Sequence, residues 1–410
     1  MAVDLDRVPS QAERPNPPRI WLWFCLMLLS PLLGLCGLLL FSSEPLRQQP
    51  TEILGATLGG PLLGLCVLCF VRVLYYVGQQ HTADGWDDAR AKDLTHKVRR
   101  GQRYQQLLGI SLYTALRTDQ ANAEAQLDAV LKGTKALKAQ SSRLEHSTVR
   151  HSRLSGDVNE DPERALLCVL RRVLKDLACP LSQVSDDVPL ALLLEFDSQL
   201  HSKQLHRVWQ RAWLESGIRQ PLVPIAWSGL DAVDQWLDQR SDDQALLLVV
   251  AVQFAPERPE GTAEAAVGLL LGNPVTQTSL PLIANLHRPE QVRGDTADAV
   301  LRAVRQALNW TPLEASAVEH VWQVGIGQKH KVAVTSVLND PLLLLGDGRQ
   351  LHNLDGLLGH PCRAAAWVAI AAAAQTIQRG AGPQFIFSGE SSAKAALWGT
   401  VLTPVPVTST

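Results

Sequence analysis

Two stretches of the chain, 20–41 and 53–71, carry no charge. Each is long enough to cross the roughly 30 Å hydrocarbon layer of a bilayer as a helix. They predict a transmembrane hairpin over 20–77, preceded by a tail over 1–19. Arg7, Arg14 and Arg19 precede the first stretch, and Arg90, Lys92, Lys97, Arg99, Arg100 and Arg103 follow the second. The connecting loop sets Arg47 against Glu44 and Glu52. Cationic residues stay on the cytoplasmic side, which predicts that both ends of the hairpin face the cytoplasm. Gly55, Gly59, Gly60 and Gly64 are small residues that let two helices approach closely. Cys66 and Cys69 have redox-motif spacing, but inside an apolar helix they read as further small packing residues.

Beyond the hairpin, 78–160 is polar, charged and rich in helix formers, and reads as a helical juxtamembrane linker. The segment 155–162 (SGDVNEDP) carries turn and cap chemistry and sets a boundary, leaving 161–410 as the main domain. There the pattern alternates. Helical periodicity over 165–177, 202–216 and 230–239 is separated by apolar runs at 190–196, 222–226 and 245–254. Near-continuous apolar strands of this kind are covered on both faces. Further strands are expected at 263–271, 280–287, 318–324, 384–387 and 395–402, with helices at 296–308 and 362–378. The last helix is so rich in alanine that other elements must pack closely around it on all sides. It suits a central layer between two sheets.

Composition narrows the function classes. With 46% hydrophobic residues among 410, the chain is too apolar for disorder. Lys plus Arg at 38 against Asp plus Glu at 40 leaves no basic surplus to engage nucleic acid. The seven cysteines, four of them in apolar stretches, do not form a disulfide framework. No nucleophile elbow, zinc-protease helix or phosphate-binding P-loop occurs, and the eleven histidines show no metal-ligand spacing. No cofactor is expected. The Gly325-x-Gly327 pair beside Lys329 reads as a turn after a strand. Trp209, Arg211, Trp213 and Trp236 are candidate interface anchors, although the spacing of 209 and 213 also suits core packing.

Four segments resemble the β-ketoacyl synthase branch of the thiolase-like fold. Ala226-Trp-Ser-Gly-Leu-Asp-Ala-Val is similar to the nucleophile turn and the helix after it, and 263–271 is similar to the small-residue strand that follows. Glu319-His-Val-Trp-Gln-Val-Gly-Ile-Gly-Gln resembles the segment that ends His-Gly-Thr-Gly-Thr. Gly359-His360-Pro-Cys-Arg-Ala-Ala-Ala resembles the Gly-His loop that opens the second buried helix. The resemblance covers about 187–404 and implies a thiolase-like layered α/β/α domain.

It also implies which positions would carry chemistry. The nucleophilic cysteine falls on Ala226, or on Trp227 if the register slips by one. The first histidine falls on Val324, the lysine on Asp355, and only the second histidine, His360, is kept. A thioester condensation needs a thiolate and imidazoles, so these positions lead to the expectation that the chain is not an enzyme. His360 reads either as a relic bonded within the core or as a ligand contact in a residual pocket. Cys362, in the first turn of the buried helix, reads as a packed thiol or as a substitute nucleophile. Cys168 and Cys179 lie away from that place.

A membrane hairpin joined to such a domain resembles the lipase-adaptor family of bacterial type VI secretion. That resemblance implies an adaptor in the bacterial inner membrane that binds a lipase effector in the cytoplasm and passes it to a secretion-spike protein. By likeness to thiolases, a homodimer is also implied. The competing reading is an acyl-transfer enzyme or acyl-binding module that uses acyl-CoA or an acyl carrier at the membrane.

Overall fold

In a computed structural model of the chain, residues 8–41, 55, 59–118, 122–144, 148–156, 160–275, 280–340, 349–389 and 396–405 are described. Two compact units form, one of residues 4–97 and a body that begins at Val98. Most of the loop between the apolar stretches, and the start of the second stretch, lie outside the described residues.

In the smaller unit, helix α1 (Ile20–Phe41) forms over the first apolar stretch. Helix α2 (Gly60–Gly101) continues far past the second one, and most of it belongs to this unit. Among the described residues, α2 is the one helix long and apolar enough to cross a membrane. Its polar part is supported by ion pairs one turn apart, Lys92 with Asp88 at 2.8 Å and Lys97 with Asp93 at 2.9 Å. The tail before α1 lies along that polar part: Arg14 pairs with Asp84 and Asp87, and Arg90 Nε donates to the Pro9 carbonyl at 2.7 Å.

The expected helical linker over 78–160 holds only as far as Gly101. Tyr104–Thr114 forms strand β1, with Leu107, Leu108 and Leu112 buried. Apolar side chains at both even and odd positions of this strand face packed layers, and that burial outweighs its polar glutamines. Helix α3 (Ala123–Leu131) and the hairpin of β2 (Lys138–Ser141) and β3 (Thr148–His151) follow.

The body then alternates helices and strands. Helix α4 (Pro162–Leu181) starts on a proline at its first position, where no amide donor is lost, and buries a stripe from Ala165 to Leu181. After it come β4 (Leu190–Asp197), α5 (Ser202–Ser216), β5 (Leu222–Pro224), α6 (Gly229–Gln239), β6 (Leu246–Gln253), β7 (Ala265–Gly272), β8 (Ala284–His287) and β9 (Glu290–Gln291). The second half comprises α7 (Ala297–Trp310), β10 (His320–Val324), α8 (Gln328–Leu338), β11 (Gln350–Asn353), α9 (Leu354–Leu357), α10 (Ala365–Gln378), β12 (Gln384–Gly389) and β13 (Leu397–Pro404). The edge strand β11 and helix α8 lie outside the sequence expectation.

Apart from the small β2-β3 sheet, the described strands join into one sheet of eleven, in the order β11-β10-β12-β13-β8-β1-β7-β6-β4-β5, with β9 beside β13. The junction is β8, which pairs with β1 at 104–107 and with β13 at 402–404. Helix α10 nevertheless packs against β1, β7 and β8 as well as β10, β12 and β13. A flat sheet would separate β10 from β7 by about 24 Å, at roughly 4.8 Å per strand. One helix about 10 Å wide touches both only if the sheet wraps around it. The alanines of α10 allow that approach, and Ala369, Ala371, Ala373 and Ala374 have no exposed surface. On the opposite face α4 lies against β7 so closely that a Cβ at Gly268 would sit 2.7 Å from Leu177 Cδ1.

A buried ion pair fastens the hairpin region to the sheet. Arg143 Nε lies 2.9 Å from both Glu264 oxygens, and Arg143 Nη2 donates to the Leu154 carbonyl at 2.8 Å. The same carboxylate accepts from the backbone N–H groups of Leu154 at 3.0 Å and Ala255 at 3.1 Å. Removing one member of a buried pair strands the other charge. Glu264→Gln should therefore lower unfolding free energy by about 3–5 kcal/mol, measurable by denaturant titration of the intact protein. A loss under about 1 kcal/mol would mean that this network is not holding the segment.

The body also carries opposed pH dependences. His352 stacks on Trp322 with centroids 4.3 Å apart and shares a hydrogen bond with His320, and burial pushes it down to about 4. The unfolded chain binds this proton below about 6.5, so stability falls as pH drops from 6.5 to 4. Burial pushes Glu290 up to about 7, so there the folded state holds the extra proton and stability falls as pH rises from 4.5 to 7. His352→Gln should flatten the decline in melting temperature toward pH 4, and Glu290→Gln should steepen it. Parallel profiles for the two variants would contradict these assignments.

Candidate functional site

Ligands of mainly parallel sheets collect beyond the carboxyl ends of the strands. In this body, β4 pairs in parallel with β5 and β6, and β10 with β11 and β12. A cleft of about 490 Å³ opens beyond those ends. Glu195 and Asp197 from the end of β4 form one wall, and Ser228, Gly229 and Leu230 at the start of α6 adjoin them. The first turn leading into α10 adds Cys362, Arg363, Ala366 and Trp367 to the lining. Ser388 and Gly389 at the end of β12 and Trp398 of β13 complete it. The volume is in the range of small-molecule sites.

Glu195 links the two helix starts. It is 6% exposed; one oxygen accepts from the Gly229 N–H at 2.5 Å, and the other from the Trp367 indole N–H at 2.8 Å. A carboxylate at the amino end of α6 is stabilised by the unpaired amides there and by the helix dipole. The sequence carries a signal for this residue: one carboxylate in an otherwise apolar strand, LALLLEF, whose buried charge requires partners. Asp197, Trp367, Ser388 and Trp398 have no comparable signal.

The loop that bears His360 and Cys362 is clamped by its neighbours. His360 N–H donates to the Gly261 carbonyl at 2.9 Å, and the His360 carbonyl accepts from Ala263 N–H at 3.0 Å. His360 Nδ1 accepts from the backbone N–H of Cys362 at 2.9 Å, so the neutral imidazole carries its proton on Nε2. Cys362 has φ +46°, in the left-handed region that a side chain other than glycine enters at a cost of order 1–3 kcal/mol. Cys362 is among the residues that line the cleft.

The remaining positions separate. Ala226 is exposed and outside the cleft lining, with Trp227 half-buried beside it. Val324 is fully buried at the end of β10, away from the cleft surface. The next residue, Gly325, meets Gly389 backbone to backbone: a Cβ there would stand 2.5 Å from the Gly389 carbonyl oxygen, and φ is +65°. Asp355 accepts from the Gly325 N–H at 2.9 Å; burial raises its carboxyl above the usual range, and that bond and nearby His360 oppose the rise. Gly325 thus serves a tight turn after a strand, in line with its sequence reading.

Cys168 and Cys179 lie exposed on α4, remote in sequence and outside the cleft lining. Trp209 and Trp236 belong to the core, with the Trp236 indole donating to Asn273 at 2.9 Å, while Arg211 is paired with Glu215 at 3.0 Å. Trp213 is partly buried against the same core as Trp209. Among the described residues, no group of three or more His, Cys, Asp or Glu side chains could hold a metal ion.

No protein-family model and no curated protein sequence matches the chain. Its fold does match solved structures. The ishigamide ketosynthase/chain length factor aligns at TM-score 0.53 and 12% identity, over 74% of this chain and 99% of that one. A type II polyketide ketosynthase in complex with its acyl-carrier protein, AntDE:AntF, aligns at TM-score 0.52 and 12% identity, over 74% and 100%. The PfaC keto synthase-chain length factor aligns at TM-score 0.50 and 11% identity, and this chain spans only 43% of its length. These likenesses correct the expectation, drawn from Ala226, Val324 and Asp355, that the chain is not an enzyme. The structures that share its fold are ketosynthases and ketosynthase/chain length factors, and its own cleft keeps a thiol beside a histidine-bearing loop. The wrapped sheet, the buried alanine helix and the cleft at its amino end give this body a thiolase-like fold that matches those of ketosynthase structures.

Proposed function

We propose that the chain is a membrane-anchored adaptor of the type VI secretion kind, whose thiolase-like body binds a lipase effector in the cytoplasm and helps load it on the spike. The observation that carries this reading is the union, in one chain, of apolar helices with a thiolase-like body in which Ala226 and Ser228 are exposed on either side of Trp227, which packs on the core. Ala226 and Ser228 are exposed, and Ser228 lines the cleft, so a protein partner can reach them. The anchor reading is supported by the small unit: the tail before α1 bonds to 84–90 of α2, which follows the apolar stretch. With the apolar stretches in a bilayer, both flanks then share one side, and their arginines and lysines favour the cytoplasm of the bacterial inner membrane.

A second reading rests on Cys362. A strained residue at the start of a helix is where several enzyme families place a nucleophile. In that reading the Cys362 sulfur attacks the carbonyl of an acyl thioester bound in the cleft. The new carbon–sulfur bond replaces the bond to the carrier, whose thiol leaves with the proton from Cys362. A neighbouring fold was solved with its acyl-carrier protein bound, which gives this chemistry a docking precedent.

Purification of the detergent-solubilised tagged protein from its native cells should recover a lipase effector and a spike protein by mass spectrometry. Recovery of acyl carrier protein without either would refute the adaptor. Separately, Cys362→Ala should leave effector recovery unchanged. Loss of a thioester-dependent acyl transfer in that variant, with the fold intact by circular dichroism, would instead establish the acyl-transfer reading.

A further inference from the structure

A second concavity lies in the small unit. It encloses about 880 Å³ between tail residues 12–16 and one face of α2, where Tyr75, Gln79, Thr82 and Trp86 line it. These positions are three or four residues apart and so stack along a single helix face. The tail is fixed across from them by its own bonds. Ala12 N–H donates to Asp87 at 3.0 Å, Arg14 pairs with Asp87 at 2.9 Å, and the Trp86 indole donates to the Ser10 carbonyl at 3.3 Å.

The depth of this groove in a bilayer follows from the chain. Residues 60–71 of α2 carry no charge, and Tyr75 stands four residues, or about 6 Å, beyond Val71. The headgroup layer is about 5–8 Å thick on each side of the hydrocarbon. With the apolar stretch in the hydrocarbon, the groove opens at headgroup level and continues toward water.

A cation sits at its membrane end. Arg72 falls on the same helix face, with its guanidinium carbon 5.7 Å from the Tyr75 ring centroid. It is half-buried and makes no ion pair among the described residues. A charge at the hydrocarbon edge calls for an opposite charge, and a lipid phosphate lies at that depth. Gln79 Nε2 donates to the Tyr75 hydroxyl at 2.7 Å, which leaves that O–H to donate elsewhere. The Asn16 and Gln79 amides and the Thr82 hydroxyl come next, all neutral groups that suit hydroxyl partners. Glu13 and Arg14 also line the groove, with opposite charges, beside Asp87 and further from the apolar part.

We propose that this groove holds an anionic phospholipid with a hydroxylated headgroup, of the phosphatidylglycerol class. Its phosphate meets Arg72 and the Tyr75 hydroxyl, and its headgroup hydroxyls lie between Asn16 and Gln79. The site depends on the apolar stretches lying in a bilayer and is independent of the lipase reading.

The test places the full chain in phosphatidylcholine nanodiscs that carry equal minor fractions of phosphatidylglycerol and phosphatidylserine. Lipids still bound after release are identified by native mass spectrometry. The two minor lipids share a net charge and differ in headgroup hydroxyls, and phosphatidylglycerol should be retained in preference to both others. Arg72→Gln should cut its retention about tenfold, the loss of one charge-assisted hydrogen bond. Asn16→Ala, a change in the exposed tail, should abolish the preference over phosphatidylserine while both anionic lipids stay ahead of phosphatidylcholine. Equal retention of the two anionic lipids by the unaltered chain, or no preference over phosphatidylcholine, would overturn the proposal. Displacement of the bound lipid by an equal concentration of sn-glycerol 3-phosphate would overturn it too, by assigning the groove to a soluble phosphate. Flotation with phosphatidylcholine vesicles reports the anchor separately: a chain that fails to float refutes the membrane placement and the site with it, and one that floats without the lipid preference refutes the site alone.

Discussion

Everything in the body is arranged around a helix that has no exposed side. A helix in that position must satisfy its own backbone internally and present small side chains outward, because each neighbour approaches it closely. The alanines of α10 do this, and the larger Trp367, Val368 and Ile370 fill what the alanines leave. The sheet can then wrap until strands far apart in its order touch one helix. The amino end of the helix becomes a fixed point, and the ends of β4 and β12 and the start of α6 meet there. The cleft is therefore a by-product of packing, with its walls set by the core.

That origin explains how residues so far apart in sequence act together. Glu195 and Trp367 lie 172 positions apart, yet share a hydrogen bond because the strand end and the helix start converge on one point. The carboxylate steadies α6 and α10 at the same time. The proposed adaptor and the acyl-transfer reading both draw on this architecture, since each needs a rigid concave surface with chemistry at its floor. They differ in whether the exposed positions 226 and 228 or the thiol at 362 meet the partner.

How much of this could be read from the sequence depended on how local each signal was. Strands β4 and β6 are continuous apolar runs and were legible as buried strands; the alanine-rich helix was legible as central. Strand β1, YQQLLGISLYT, was not, because its glutamines and its place after a long charged helix look like more helix. Its partners, which make it a strand, lie far along the chain. The expected separation into two sheets failed at the short β8, whose pairing with both neighbours has no signature in four residues. In the site, Cys362 was placed at the start of the buried helix, but its left-handed backbone depends on the clamp from 261–263 and cannot be seen in a motif. Ala226 was located by resemblance, and its exposure was not legible.

The position of β1 has a consequence for how the protein is made. This strand leaves the ribosome directly after the charged end of α2, yet it pairs with β7, whose first partner Ala265 lies 151 residues beyond Thr114 (265 minus 114). At about 5–20 residues per second, synthesis leaves the strand without its partner for roughly 8–30 s. For that time an apolar strand has both edges open. Its two glutamines near the start and the charged turns of α2 just before it keep that waiting segment soluble until the rest of the sheet arrives.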